Sequence, residues 1–321
     1  MNNDRPYHSH CDLTTGLGNE IIISDYLIFW IDMLGQGHAL HSFDKPLDIL
    51  LNDNVEEFKT NLKTTFFRIE MFRNIIRQVL QAFNETYKKE LPGIPIPEIS
   101  HKFFSDSAIL KIPFIITKNE SKNIPLSDLV LRFLYSLYGM TTIISTTILA
   151  CFSVGFSVRG AIGFGICAEL NHETNDIYGT GLADAYHYEY NYADYPRIVA
   201  TSNLNNAIGY YCDFYNKHQN FFNKNQKKIL KFIIDYFKKI FIQDYDGIII
   251  LSYFNVLKEQ KMAEDIKEDI IQAYQFIEEQ IKKFRNDIKI RSKYCKLKNY
   301  FLNHIKLIHD PEGKIIDVTL I

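Results

Sequence analysis

From Phe133 to Val158 the chain reads FLYSLYGMTTIISTTILACFSVGFSV, 26 positions without a charged residue. A run of this kind either crosses a bilayer, for which about 20 apolar residues suffice, or is buried in the protein's own core. Its polar content decides between the two. Ser136, Thr141, Thr142, Ser145, Thr146, Thr147, Ser153 and Ser157 interrupt it, as do Gly139 and Gly155. Hydroxyls at this density bond back to the backbone of a buried helix and are a poor match to lipid. The stretch therefore reads as a core helix running into a strand, with no membrane as a partner. The N-terminal segment MNNDRPYHSHCD lacks the apolar core of a signal peptide, so the expected location is cytoplasmic.

The remaining composition fits a folded protein. Of the 321 residues 46% are hydrophobic and 23% are charged, too apolar for a disordered chain. Lys and Arg number 36 against 38 Asp and Glu, a net charge of −2. No basic surplus is left to neutralise a polymer of phosphates, which excludes nucleic acid as a partner. Cys11, Cys151, Cys167, Cys212 and Cys295 are scattered and form no CxxC pair, so they read as free thiols of a reducing compartment.

Strand-like and helix-like segments alternate. Tyr26 to Leu34, YLIFWIDML, is a short apolar run that predicts a central strand. Residues 56–90 carry Phe66, Ile69, Phe72, Ile75, Ile76, Val79 and Phe83 at three- and four-residue steps, a helix stopped by LPGIPIPE. Strands are predicted over 99–104 and 107–116, with Ser105-Asp106 as the turn. An apolar helix follows over 126–152, with Ser127 and Asp128 as caps, then a strand over 157–168, a helix over 181–192 and a strand over 197–200. The order is that of an α+β protein with a ferredoxin-like βαββαβ core, an antiparallel sheet with its helices on one face. Helices over 203–217 and 225–241 and an apolar strand over 247–254 complete it. The expected division is a tail over 1–24, a core domain over 25–255 and a helical C-terminal extension over 256–321, whose Glu259 to Asp269 stretch makes a solvated face and whose DPEG at 310–313 turns into a closing strand.

Two residues stand out chemically. Asp32 lies inside the apolar strand, where a bare carboxylate is costly to bury without a cation or strong hydrogen bonds. Asp106 lies in the turn of FFSDSAIL. The first strand and the central hairpin are neighbours in a βαββαβ sheet, so the two carboxylates can converge on one edge. Such a pair can hold two divalent metals for chemistry at a nucleoside triphosphate; each taken alone also suits a purely structural aspartate.

These motifs, in this order, resemble the class III nucleotidyl cyclases. Their F-x-D-I-x-G-F segment is similar to Trp30-Ile31-Asp32-Met33-Leu34-Gly35-Gln36, and their K-x-x-G-D hairpin to Lys102-Phe103-Phe104-Ser105-Asp106. Their fourth strand, R-x-G-I-x-x-G, is similar to Val158-Arg159-Gly160-Ala161-Ile162-Gly163-Phe164-Gly165. Their D-x-W-G-x-x-V-N-x-A-x-R-x-E element resembles the run from Asp176 to Glu189. The resemblance covers 26 to about 202. It implies a homodimer with active sites at the interface, and two Mg²⁺ or Mn²⁺ ions on Asp32, Asp106 and the Met33 carbonyl. It also implies attack of the 3′-hydroxyl on the α-phosphate to give a 3′,5′-cyclic nucleotide and pyrophosphate. Gly35 would let backbone N–H groups approach the phosphates, and Lys102 and Asp176 occupy base-reading positions.

The chain departs from the family at two places: the transition-state Asn is Ala183 and the transition-state Arg is His187. A protonated His187 replaces the charge but not the fork geometry of arginine, and Arg159 or Arg197 are the other cations that could supply it. The departures, with YGTGLADAYHYE, YPRIVA, DGIIIL and KYCKLKNYFLNH, resemble the pyrimidine-nucleotide cyclases of Pycsar anti-phage systems, which make cyclic UMP or cyclic CMP for a separate effector. The rivals are an adenylate cyclase, from Lys102 and Asp176, and a catalytically silent nucleotide-binding protein, from Ala183 and His187. Tyr178, Tyr186, Tyr188, Tyr190 and Tyr192 are read as packing for a helix and a dimer interface. His8, His10, Cys11 and Asp12 lack a second ligand group at zinc-site spacing and are read as a tail; His38 and His41 are left outside the site.

Overall fold

The structure is a computed structural model that describes residues 13–14, 20–34, 55–90, 98–114, 125–171, 176–262 and 264–321. Within these it is a mixed α+β protein with a mainly antiparallel sheet. Strands β1 (Leu13–Thr14) and β2 (Glu20–Met33) pair with each other, so β2 starts five residues before the expected core boundary at 25. Helix α1 (Val55–Glu90) leads to β3 (Ser100–Phe104) and β4 (Ser107–Pro113). Helix α2 (Leu126–Ser153) leads to β5 (Val158–Asn171), β6 (Asp176–Gly179), helix α3 (Thr180–Tyr192) and β7 (Ile198–Ala200).

Strand order along the sheet is β3-β4-β2-β5-β7, continued by two later strands. The pairs β3–β4, β4–β2 and β2–β5 are antiparallel and β5–β7 is parallel. Alternation of side chains along β2 divides the protein into two layers. Leu27, Phe29, Ile31 and Met33 face α1 and α2 in the large apolar core, while Tyr26, Ile28 and Trp30 face the other way, toward α3.

Helix α2 is the uncharged stretch. Among the described residues it is the one helix long and apolar enough to cross a membrane, and 78% of that window is buried inside the protein. Its hydroxyls bond back as the sequence suggests: Ser145 donates to the Thr141 carbonyl at 2.8 Å and Thr146 to the Thr142 carbonyl at 3.1 Å. The start of α2 corrects the expected caps. Pro125 occupies the N-cap without a side-chain hydrogen bond, and Ser127 and Asp128 fall within the first turn. There Asp128 complements the helix dipole.

Beyond β7 run α4 (Ser202–Lys217), α5 (Lys224–Ile240), β8 (Phe241–Gln243) and β9 (Ile249–Leu251). The apolar strand expected over 247–254 is shorter than its composition suggests. The Ser252 side chain accepts from the Asn255 N–H and starts helix α6 (Tyr253–Glu259), which ends the strand at Leu251. Helices α7 (Lys267–Lys283) and α8 (Ile288–Leu302) and the hairpin β10 (Ile305–His309) and β11 (Ile315–Leu320) complete the chain. Ile270, Ala273, Ile277, Leu297, Phe301 and Val318 belong to the same apolar cluster as Leu27 and Phe29. Residues 256–321 thus share one core with the sheet, and they close on a β-hairpin as well as helices.

Candidate functional site

Register aligns the candidate residues in rows across the sheet. Arg159 is opposite Asp32, Asp32 opposite Ser107, and Ser107 opposite Phe104. The next row on the same face joins Ala161, Trp30, Ile109 and Lys102. Paired residues share a face, so one surface of the sheet carries Asp32, Arg159 and Lys102 together. Strand spacing and rise put Lys102 and Asp32 roughly 12 Å apart.

The Met33 N–H donates to the Asp106 carbonyl at 3.1 Å, which fastens the β3–β4 turn to the end of β2 beside Asp32. That turn is tight. Ser105 takes φ of 47°, the left-handed region where a side chain costs about 1–2 kcal/mol, at the position where the resembled hairpin motif has glycine. The Arg73 guanidinium donates to the Ser105 carbonyl at 2.9 Å and holds the turn.

Asp32 accepts from the Ser107 hydroxyl at 2.8 Å and has the Arg159 guanidinium 3.9 Å from its second oxygen. Burial raises its carboxyl above the usual range, and the Asp106 charge adds to this; the Ser107 bond and Arg159 act in the opposite sense. Arg159 is engaged mainly elsewhere. Its Nε stands 2.5 Å from Glu189 Oε1, at an angle unsuited to a hydrogen bond, and its Nη1 donates to the Ala193 carbonyl at 3.0 Å. Glu189 is 2% exposed, and burial pushes its carboxyl up to about 7 despite Arg159, with Asp32 adding repulsion. Asp32 and Glu189 thus share one guanidinium, and the Asp106 charge adds to that of Asp32. That excess of negative charge suits a divalent cation. Asp32, Asp106 and the Met33 carbonyl are oxygen donors of the kind Mg²⁺ and Mn²⁺ prefer. Among the described residues no group of three or more His, Cys, Asp or Glu side chains could hold a metal by itself, so a carbonyl or the substrate must complete any such site.

Lys102 and Asp176 are brought together as an ion pair. The Lys102 amine also stands 5.3 Å from the centre of the Phe104 ring. Beside them Trp30 stacks with Phe104 at 6.0 Å and meets Tyr186 edge-on at 5.2 Å, and its buried indole N–H has no acceptor among the described residues.

Two expected residues fall elsewhere. Arg197 is buried and its guanidinium is used up by Asp244, Asp246, Asp194 and the Tyr192 carbonyl. It locks the α3–β7 connection to the β8–β9 turn, so the charge that the sequence offered to the nucleotide is spent within the fold. His187 is on the exposed side of α3, with its ring 3.1 Å from the Asn191 amide and near Tyr188 and Tyr192. The inward stripe of α3 is Gly181, Ala185 and Glu189, so His187 and Ala183 face away from their own chain's Asp32. Gly35, His8, His10, Cys11, Asp12, His38 and His41 lie outside the described residues.

Ser107 and Glu189 were not singled out by the sequence. Ser107 carried no signal beyond its place after the turn. Glu189 had one: it occupies the fourth-residue stripe of α3 where an apolar side chain is expected. Comparison of the chain with family models, with curated proteins and with solved structures finds no match.

Proposed function

We propose that this chain is a homodimeric nucleotidyl cyclase that converts UTP or CTP to the 3′,5′-cyclic monophosphate and pyrophosphate, as a second-messenger signal read by a separate effector in bacterial anti-phage defence. The observation that carries this reading is the meeting of Asp32 and Asp106 at the end of β2, with the Lys102–Asp176 pair on the same surface at about a nucleotide's length. The strand order β3-β4-β2-β5, with α1 and α2 on one face, is also the order that a ferredoxin-like βαββαβ core requires.

In this reading Asp32, Asp106 and the Met33 carbonyl hold two Mg²⁺ or Mn²⁺ ions. Bound there, the ions lower the pKa of the 3′-hydroxyl and neutralise the triphosphate. The 3′-oxygen bonds to the α-phosphorus, the bond to the β-phosphate oxygen breaks, pyrophosphate leaves and the hydroxyl proton passes to water. Arg159, held against Glu189 beside Asp32, supplies fixed positive charge next to the reacting phosphate. Lys102 and Asp176 exchange their mutual pair for the base edge, a donor and an acceptor, while the Trp30 and Phe104 rings offer a stacking wall. His187 faces outward, so it serves a site only across a dimer interface; the exposed Tyr186 and Tyr190 on the same helix and Tyr178 just before it suit burial in one. Cytoplasmic location follows from substrate supply.

The Lys102–Asp176 pair also favours a second reading, an adenylate cyclase making cyclic AMP. Incubation with Mn²⁺ and each of ATP, GTP, CTP and UTP separates them by product. Cyclic UMP or cyclic CMP is the expected result; cyclic AMP alone refutes the pyrimidine reading. Nucleotide binding without any product refutes both and assigns a silent nucleotide-binding protein. Asp106→Ala is expected to abolish turnover while the chain stays folded, and retained activity would remove the two-metal assignment.

A further inference from the structure

The α7–α8 hairpin closes a cavity of about 460 Å³ against the end of β2 and the turn entering β5. Its walls are aromatic, with Phe156, Phe276, Phe284 and Tyr294 prominent, and among the described residues its charged lining is Arg68, Lys283 and Lys293, with no carboxylate. Phe284 and Tyr294 are parallel within 1° at 6.3 Å between centroids. The Lys283 amine stands 5.3 Å from the centre of the Phe284 ring. On α8, Lys296 and Lys298 pair with Asp194 and Glu278 at 2.5 Å each. Among the described residues no such pair engages Arg68, Lys283 or Lys293. Burial and the neighbouring Arg159, Lys289 and Lys296 push the Lys293 amine below its ordinary range, with Asp194 acting against them. An anion bound beside it would relieve that penalty.

We propose that this cavity is a binding site for an organic phosphate bearing a flat ring, a nucleoside monophosphate in type, with Arg68, Lys283 and Lys293 on the phosphate and the aromatic walls on the ring. The volume lies in the range of small-molecule sites, about 300–1,000 Å³. Inorganic phosphate would satisfy the cations and leave the rings wet, whereas a base stacked on them adds about 1–3 kcal/mol. The site is built by residues 276–294 with Arg68, the end of β2 and the turn entering β5; it borders the Arg159 end of the candidate site, and it does not rest on the cyclase reading.

Calorimetric titration of the full chain with uridine 5′-monophosphate, in EDTA to silence any metal-dependent binding, tests this. Binding is expected, with uridine and inorganic phosphate each at least about tenfold weaker. Lys293→Gln is expected to weaken it about tenfold or more, the loss of one charge-assisted contact. Lys283→Gln, at an exposed side chain, should weaken it without a folding defect, and Phe284→Ala should erase the advantage over inorganic phosphate. Asp32→Asn should leave binding unchanged. Absence of binding overturns the site, as does binding indifferent to Lys283→Gln and Lys293→Gln. Loss of binding on Asp32→Asn also overturns it, by assigning the nucleotide to the sheet face instead. Inorganic phosphate binding as tightly as the nucleotide overturns the ring-bearing ligand.

Discussion

Replacing Glu189 by glutamine keeps its shape and removes its charge, which isolates the cost of an ionised carboxylate at this place. Unfolded, the group titrates near its ordinary 4.5; folded, burial moves it to about 7. Between those values the folded chain binds more protons than the unfolded one, so stability falls as pH rises. Each tenfold displacement is worth about 1.4 kcal/mol, which sets a ceiling of about 3 kcal/mol on the loss between pH 4.5 and 7. Solvent does not soften this figure much, because Glu189 is 2% exposed. Glu189→Gln cannot lose that proton, so its stability relative to the native chain should rise by about 2.5 kcal/mol from pH 5 to pH 8. Urea unfolding of both proteins at pH 5, 6, 7 and 8, in metal-free buffer, reads the difference directly. Parallel profiles would refute the reasoning, because they would mean that Arg159 at 2.5 Å fully offsets burial.

Arg197→Ala leaves Asp194, Asp244 and Asp246 facing one another without their cation and is expected to cost about 3–5 kcal/mol in chemical unfolding. A loss under 1 kcal/mol, on the order of a surface pair, would return Arg197 to the substrate. Gly160→Ala puts a Cβ 2.3 Å from the Trp30 carbonyl and 2.7 Å from the Phe29 ring, so β2 and β5 must separate; about 1–3 kcal/mol or more should be lost, with a neutral result excluding the register described. Lys102→Ala should leave the unfolding midpoint within about 1 kcal/mol, since Asp176 is half exposed, while raising the nucleotide KM about tenfold. An unchanged KM would remove Lys102 from base reading.

Much of the scaffold was legible in the sequence because it depends on local periodicity. The β2, α1, β3–β4 and α2 segments are marked by apolar spacing and turn residues, and the hydroxyl-rich character of Phe133 to Val158 already separated a core helix from a membrane span. Two local readings failed where a single residue decided: Pro125 instead of Ser127 at the start of α2, and the Ser252 side-chain cap that ends β9. Asp32 and Asp106 were legible as a pair because strand adjacency follows from element order.

What tertiary structure alone decided is how each charge is spent. Asp32, Arg159 and Arg197 look alike in sequence, as polar residues beside apolar strands. Register sets Arg159 opposite Asp32, while the β8–β9 turn supplies the carboxylates that consume Arg197. The helical phase of α3 turns Glu189 inward and His187 outward. The chain order states which groups exist and which strands carry them. Whether a cation is free to meet a ligand depends on carboxylates more than 40 positions away along the chain, and only the folded arrangement fixes those distances.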